Sequence, residues 1–221
     1  MLRDLHVLHI GKTGGTALIH ALSECPSDQW RMVFHSHEVK LEQIPAGQPV
    51  IFALREPVQR FISGFNSRRR QGRPRYHSPW NQAEAAAFGK FPTANDLANA
   101  LSSPHDQTKA QAVAAMQSIQ HVCSHYQFWL NSFEYLESRS QDLLWIGRTE
   151  HLARDFEILK SLLKLPEKCA LPTDDVLSHR HLDTDERWLD ATGLRNIEQW
   201  YRSDREMLEN IFRLKRLSPA D

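Results

Sequence analysis

Residues Leu5–Leu22 read "LHVLHIGKTGGTALIHAL", and this stretch decides the fold. Leu5 to Ile10 is a short apolar run bounded by Asp4 and Gly11, which suits a buried strand. After the glycines, "TALIHALSEC" sets Leu18 and Leu22 at helical spacing. Strand, glycine turn and helix therefore follow one another directly, as at the opening of a βαβ unit.

The pattern repeats outward. "WRMVFHSH" (30–37), "PVIFALRE" (49–56) and "DLLWIG" (142–147) are further candidate strands. Pro57 opens a helix, "PVQRFISGFNSRRR", since proline suits the first helical position. "TANDLANALSS" and the Ala-, Gln- and Leu-rich stretch from Gln107 to Ser138 read as two helices. "TEHLARDFEILKSLLKL" carries Leu152, Phe156, Leu159 and Leu163 on one face, and "LRNIEQWYRSDREMLENIFRL" reads as a last amphipathic helix. The segment "SRRRQGRPRYHSPWNQ" (67–82) lacks periodicity and reads as a loop or lid. Strands alternating with helices imply a parallel sheet covered on both faces. The expectation is one α/β domain over 1–221 with a helical insertion and no internal repeat.

Composition bounds the function. The chain has 221 residues, 41% hydrophobic and 24% charged, with 27 Lys+Arg against 27 Asp+Glu. With no global field to attract nucleic acid or an anionic membrane, any anion site must be local. The N-terminus lacks the apolar core of a leader, and no later apolar run approaches a membrane span. Three cysteines, Cys25, Cys123 and Cys169, lie far apart and form no CxxC pair. That spacing argues against a disulfide framework or a cysteine metal site, and for a reducing, cytoplasmic setting.

The loop itself ends in the letters of a nucleotide-binding P-loop, "GKT", but its other glycines follow the lysine. A Walker A loop needs GxxxxGK[ST]. Its first glycine would fall on His6, inside the strand, which leaves no room for the loop. Gly14 and Gly15 instead let the backbone turn between Lys12 and Thr16, so that the amides of Gly14, Gly15, Thr16 and Ala17 meet one compact anion at a helix N-terminus. Lys12 adds a point charge, and Thr13 and Thr16 add hydroxyls.

"HIGKTGGTAL" resembles the 5′-phosphosulfate loop of the sulfotransferases, in particular the carbohydrate branch with the pattern H-x-P-K-T-G-G-T-S. Gly11 stands where that pattern has proline. A second family element, a strand ending in arginine followed by an acidic residue, proline and a serine-bearing helix, is matched by "FALREPVQRFISGF". The resemblance implies a three-layer fold like that of the P-loop NTPases. It also implies 3′-phosphoadenosine 5′-phosphosulfate as donor, with Arg55 and Ser63 on its 3′-phosphate. Arg55 also lies at the carboxyl end of a strand, where open α/β sheets bind ligands, and its guanidinium can hold a phosphate bidentately. "HYQFWL", "WIGRTEHLARDFEIL" and "WYRSDREMLENI" are weaker, mostly structural matches.

Sulfuryl transfer needs a group to take the acceptor's proton, and histidine has a suitable pKa. Among twelve histidines, His35 and His37 in "VFHSHEV" would share one face of a strand end on the loop's edge. The pair resembles the H-x-H of heparan sulfate 2-O-sulfotransferase-like enzymes, which implies His37 as base and His35 as its companion. "SHRHLD" offers a second H-x-H at His179 and His181, without a third zinc ligand at a helpful spacing. The transferred group carries less charge than a phosphoryl, so Lys12 and backbone donors suffice on chemical grounds and no metal is expected. Arg68, Arg69, Arg70, Arg73 and Arg75 form a basic segment for an acidic sugar or the donor, or a solvated loop. Tyr76 and Trp80 stand where they could stack on a sugar or pack. The acceptor, a glycan or small molecule, and the oligomeric state stay open. Two other readings stand beside the sulfotransferase. One is a P-loop nucleotide kinase with Glu56 as a Mg²⁺ ligand, and the other is a non-catalytic nucleotide-binding module.

Overall fold

The computed structural model describes residues 2–173 and 186–217, with the side chains of 215–217 left aside. In chain order the elements are β1 (Arg3–Val7), α1 (Gly15–Ser23), β2 (Trp30–Phe34), β3 (Val50–Leu54), α2 (Pro57–Arg69), α3 (Gln82–Lys90), α4 (Ala94–Ala100), α5 (Asp106–Ser118), α6 (Tyr126–Leu130), α7 (Phe133–Ser138), β4 (Leu143–Arg148), α8 (Leu152–Leu163), α9 (Ala191–Trp200) and α10 (Arg202–Leu217). They fall into two compact units. The first draws on Met1–Glu56, Tyr126–Arg180 and Met207–Asp221, and the second on Pro57–His125 and His181–Glu206.

The first unit is α/β. Its sheet has four strands in the order β2-β1-β3-β4, and every pairing is parallel. The four expected strands are all present, with ends shifted by up to three residues. β3, between two neighbours, is buried at every position, as a doubly covered parallel strand should be. Alternation sorts its residues. Val50, Phe52 and Leu54 pack with Tyr126, Trp129, Leu130, Leu136, Met207 and Ile211. Ile51 joins Leu5, Val7 and Trp145 against Leu18 and Leu22 of α1 and Phe156, Leu159 and Leu163 of α8. Helices thus cover both faces. The strand order also reverses direction at one place. From β1 the chain moves to β2 on one side, and from β3 to β4 on the other, so the crevice beyond the β1 and β3 carboxyl ends is the switch point.

The cysteine expectation is overturned in this unit. Cys25 and Cys169 form a disulfide across 144 residues of chain. Both are buried in the core between α1 and α8. Linear spacing hid the pair because only the packing of those two helices brings them together. The ground for a reducing compartment goes with it.

The second unit is helical. Its core joins Phe61 and Phe65 of α2 to Phe88, Leu97, Ala112, Met116, Ile197 and Tyr201. The 67–82 segment is not simply a loop. α2 runs on to Arg69, and Arg68 is buried, with Nε and Nη2 donating to the Glu84 carboxylate at 2.7 and 2.6 Å. Burial pushes the Glu84 carboxyl up, but the Arg68 bond and the backbone N–H groups of Asn81 and Gln120 outweigh it and hold it low. Trp80 packs on Phe88 and donates to the Arg68 carbonyl. α3, capped by Asn81 and Glu84, went unseen because alanines obscure its apolar face.

Two expected long helices are broken. The 107–138 stretch becomes α5, α6 and α7. Ile119 leaves α5 in extended conformation, His121 and Asn131 take positive φ, and Ser132 caps α7. The last helix splits at Tyr201, whose hydroxyl donates to the Val122 carbonyl. Among the described residues no helix is long and apolar enough to cross a membrane.

Candidate functional site

The first unit gathers its polar chemistry at the β1–β3 crevice. After β1 the chain continues pairing, with the Leu8 N–H donating to the Ile51 carbonyl at 3.0 Å. It then turns over 11–14 into α1. Lys12 takes φ 67° and Gly14 φ 83°. A left-handed lysine costs about 1–2 kcal/mol, and an outlier of this kind marks a functional turn more often than a random one. Gly14 is the N-cap of α1 and no side chain caps the helix. The first intrahelical bond is Leu18 N–H to the Gly14 carbonyl at 3.2 Å, so the preceding amides lack intrahelical acceptors. Thr16 is half-buried and Ala17 buried.

Thr13 departs from its expected role. Its side chain is fully buried and donates to the Ile10 carbonyl at 2.9 Å. Its hydroxyl proton closes the turn, and only its backbone remains for a ligand. A residue that the sequence did not single out braces it. The Thr149 hydroxyl, beyond β4, lies 2.7 Å from the Thr13 carbonyl and 3.0 Å from that of Leu54. A side chain at Gly14 would also come within 2.9 Å of Leu152 Cδ2. The turn is therefore clamped by the β4–α8 junction.

Arg55 leaves β3 next to this turn, with Nη1 3.5 Å from the Lys12 carbonyl. Its backbone is pinned by Tyr126, whose buried hydroxyl accepts from the Arg55 N–H at 3.0 Å and donates to the Arg55 carbonyl. Burial lowers the guanidinium pKa, against Glu150, Tyr126 and Glu56. Arginine stays charged at any working pH regardless. Glu150 also accepts the Glu56 N–H at 2.8 Å.

The histidines are arranged differently from a strand-borne pair. β2 ends at Phe34, and His35 and His37 follow in the turn beyond it. Each finds a partner on the β1 side. His35 Nε2 is 2.9 Å from His6 Nδ1, with the rings parallel within 8°. His37 lies against His9, ring centroids 3.6 Å apart, and its carbonyl accepts from Trp129 Nε1 at 2.7 Å. Burial lowers the pKa of all three of His6, His35 and His37. For His37 a backbone hydrogen bond with His9 opposes the shift and the Lys12 charge adds to it. His37 is thus biased toward its neutral form beside Lys12.

The remaining predicted residues belong to the second unit or fall outside the described residues. Ser63 is on α2 in the second unit, 7% exposed. In that unit Arg69 donates to the Pro92 carbonyl at 2.9 Å and Arg70 to that of Arg73 at 3.2 Å. Arg73 and Arg75 are exposed, while Arg68 is spent on Glu84. Tyr76 is exposed and lies over Gly72. Trp80 packs. His179 and His181 fall outside the described residues. Among the described residues no three His, Cys, Asp or Glu side chains group as metal ligands. His6, His9, Tyr126 and Thr149 were missed as participants. His9 belongs to the quoted loop motif, but nothing in linear order pairs it with His37. No protein-family model matches the chain, and no curated protein does.

Proposed function

We propose that the chain is a sulfotransferase that moves a sulfuryl group from 3′-phosphoadenosine 5′-phosphosulfate to an acceptor hydroxyl, on a P-loop-NTPase-like three-layer fold. The observation that carries this is the meeting of an uncapped, reversed glycine turn with the Arg55 guanidinium, 3.5 Å from the Lys12 carbonyl, at the sheet's switch point. One compact anion fits the α1 amides with the helix dipole behind them.

The step balances simply. The acceptor oxygen attacks sulfur, the sulfur–oxygen bond to the 5′-phosphate breaks, and the acceptor proton passes to a His37 ring nitrogen. Negative charge grows on the departing phosphate, where Lys12 and the Gly15 to Ala17 amides stabilise it. Arg55 fixes the donor as a charged, multidentate hydrogen-bonder. Ser63 keeps the role that the resemblance implies, a ligand of the 3′-phosphate. Arg69, Arg70 and Arg73 are offered as acceptor contacts, and the acceptor itself is a sugar hydroxyl of a glycan or glycoconjugate.

The test is transfer of radiolabelled sulfur from the donor to a panel of glycans, without added metal. Wild type should transfer. His37→Ala should lose about 10²–10⁴-fold in kcat, the usual worth of a general base. Full activity in His37→Ala would sink the proton-transfer role. Transfer of phosphate from ATP with Mg²⁺ instead would bring the kinase forward.

A further inference from the structure

Gly15 opens α1 with its missing side chain turned toward a ring. A Cβ there would sit 2.3 Å from His9 Cδ2 and 2.8 Å from His9 Nε2, well inside contact distance. The same ring meets His37, with centroids 3.6 Å apart and planes tilted by 37°. The His9 ring therefore touches both the helix start and the His37 ring. The His37 main chain is fixed independently by Trp129 of α6.

We propose that His9 is a positioning residue: in contact with both the Gly15 backbone and the His37 imidazole, it sets the orientation of that imidazole relative to the anion loop. Naming His37 as the base rests on the sulfotransferase reading. The contact itself does not.

The consequence is a second use for the double glycine. Gly14 supplies the left-handed turn, at φ 83°. Gly15 needs no such freedom and instead makes room for an imidazole. Any shift of the α1 N-terminus on binding an anion is transmitted through a rigid ring to the base. The charged or titratable groups around His37 are His9 and Lys12 on the β1 side, while α6 presents the uncharged Trp129. His37 is exposed as a residue, so the His9 ring adds to a partial desolvation of its imidazole, and removing that ring makes its protonation easier. A benzene ring in its place would preserve the ring contact.

The experiment compares wild type, His9→Ala and His9→Phe by three readouts. The first is NMR titration of the His37 imidazole, assigned with His37→Gln. The second is calorimetric titration with 3′-phosphoadenosine 5′-phosphate. The third is the pH profile of transfer. In His9→Ala the His37 titration and the acidic limb of the profile should both move to higher pH. In the same variant kcat should fall about tenfold to a hundredfold, the cost of a misplaced reacting group. Nucleotide affinity should stay within about threefold, since His9 touches the base rather than the anion. His9→Phe should restore the wild-type limb and most of kcat. An unmoved His37 titration in His9→Ala would overturn the proposal, as would His9→Phe behaving like His9→Ala. The NMR titration reports on the contact even in a chain that transfers nothing, whereas absent nucleotide binding by wild type would refute the sulfotransferase reading alone.

Discussion

Tyr126→Phe removes one oxygen from the core of the first unit and leaves the aromatic ring in place. That oxygen makes two bonds to a single residue, accepting from the Arg55 N–H at 3.0 Å and donating to the Arg55 carbonyl. The ring is fully buried among Leu8, Val50 and Leu130, so phenylalanine leaves no large cavity and the hydrogen-bond loss dominates. Each bond is worth about 1 kcal/mol net, and more where its partner is left unsatisfied in a dry site, giving about 2–4 kcal/mol in all. For a chain of this size about 2–4 °C accompanies each kcal/mol, so the melt of the sheet-bearing unit should fall by about 4–16 °C. The second consequence is functional. With its backbone released, Arg55 no longer presents a fixed guanidinium, and a charged hydrogen bond of about 1.5–3 kcal/mol is at stake. Affinity for 3′-phosphoadenosine 5′-phosphate should weaken about ten- to a hundredfold. Calorimetry and thermal unfolding measure both. A variant that melts within about 1 °C of wild type and binds the nucleotide equally well would show that the hydroxyl does not hold Arg55.

Gly15→Ala should separate stability from chemistry. Better helix propensity, about 1 kcal/mol, offsets part of an overpacking cost of about 1–3 kcal/mol, so the melt falls by at most about 8 °C while the displaced His9 ring lowers kcat; an unchanged kcat would contradict the packing. Acid should destabilise the fold earlier than carboxylate titration requires. His6, His35 and His37 all have pKa values lowered by burial from the ordinary 6.5. The unfolded chain therefore takes up protons first, and the stability present above that pH is lost as pH falls below it. Denaturant midpoints should drop on going from about pH 8 to about pH 5.5, and a His6→Asn, His35→Gln double variant should flatten that slope; an equal slope in the variant would contradict the assignment. Cys25→Ser opens a cross-link spanning 144 residues. A loss of about 3–5 kcal/mol is expected, seen also in the wild type on adding reductant. Identical melts with and without reductant would count against the bridge.

The sheet was legible because its strands fall in short, mainly apolar stretches, "VIFAL" above all. The turn into α1 was legible because its glycines fall between an apolar run and a helically spaced one. What escaped notice depends on residues far apart in sequence. The Cys25–Cys169 bridge, the Tyr126 hold on Arg55 and the Thr149 brace on Thr13 join positions separated by 144, 71 and 136 residues. No periodicity carries that information. The breaks at Ile119 and Tyr201 also escaped, since both residues suit a helix interior and leave it for tertiary reasons. The arginine run illustrates the limit of composition. Arg68 is chemically indistinguishable from Arg70 in the sequence, yet it is buried against Glu84, whose own burial was equally invisible.

The most direct measurement is calorimetric titration of 3′-phosphoadenosine 5′-phosphate, without metal, into wild type and Arg55→Ala. An intact donor site predicts tight metal-free binding by wild type and a loss of about ten- to a hundredfold when one charged hydrogen-bonding partner is removed. Binding that is absent, indifferent to Arg55→Ala, or seen only for ATP with Mg²⁺ would contradict it.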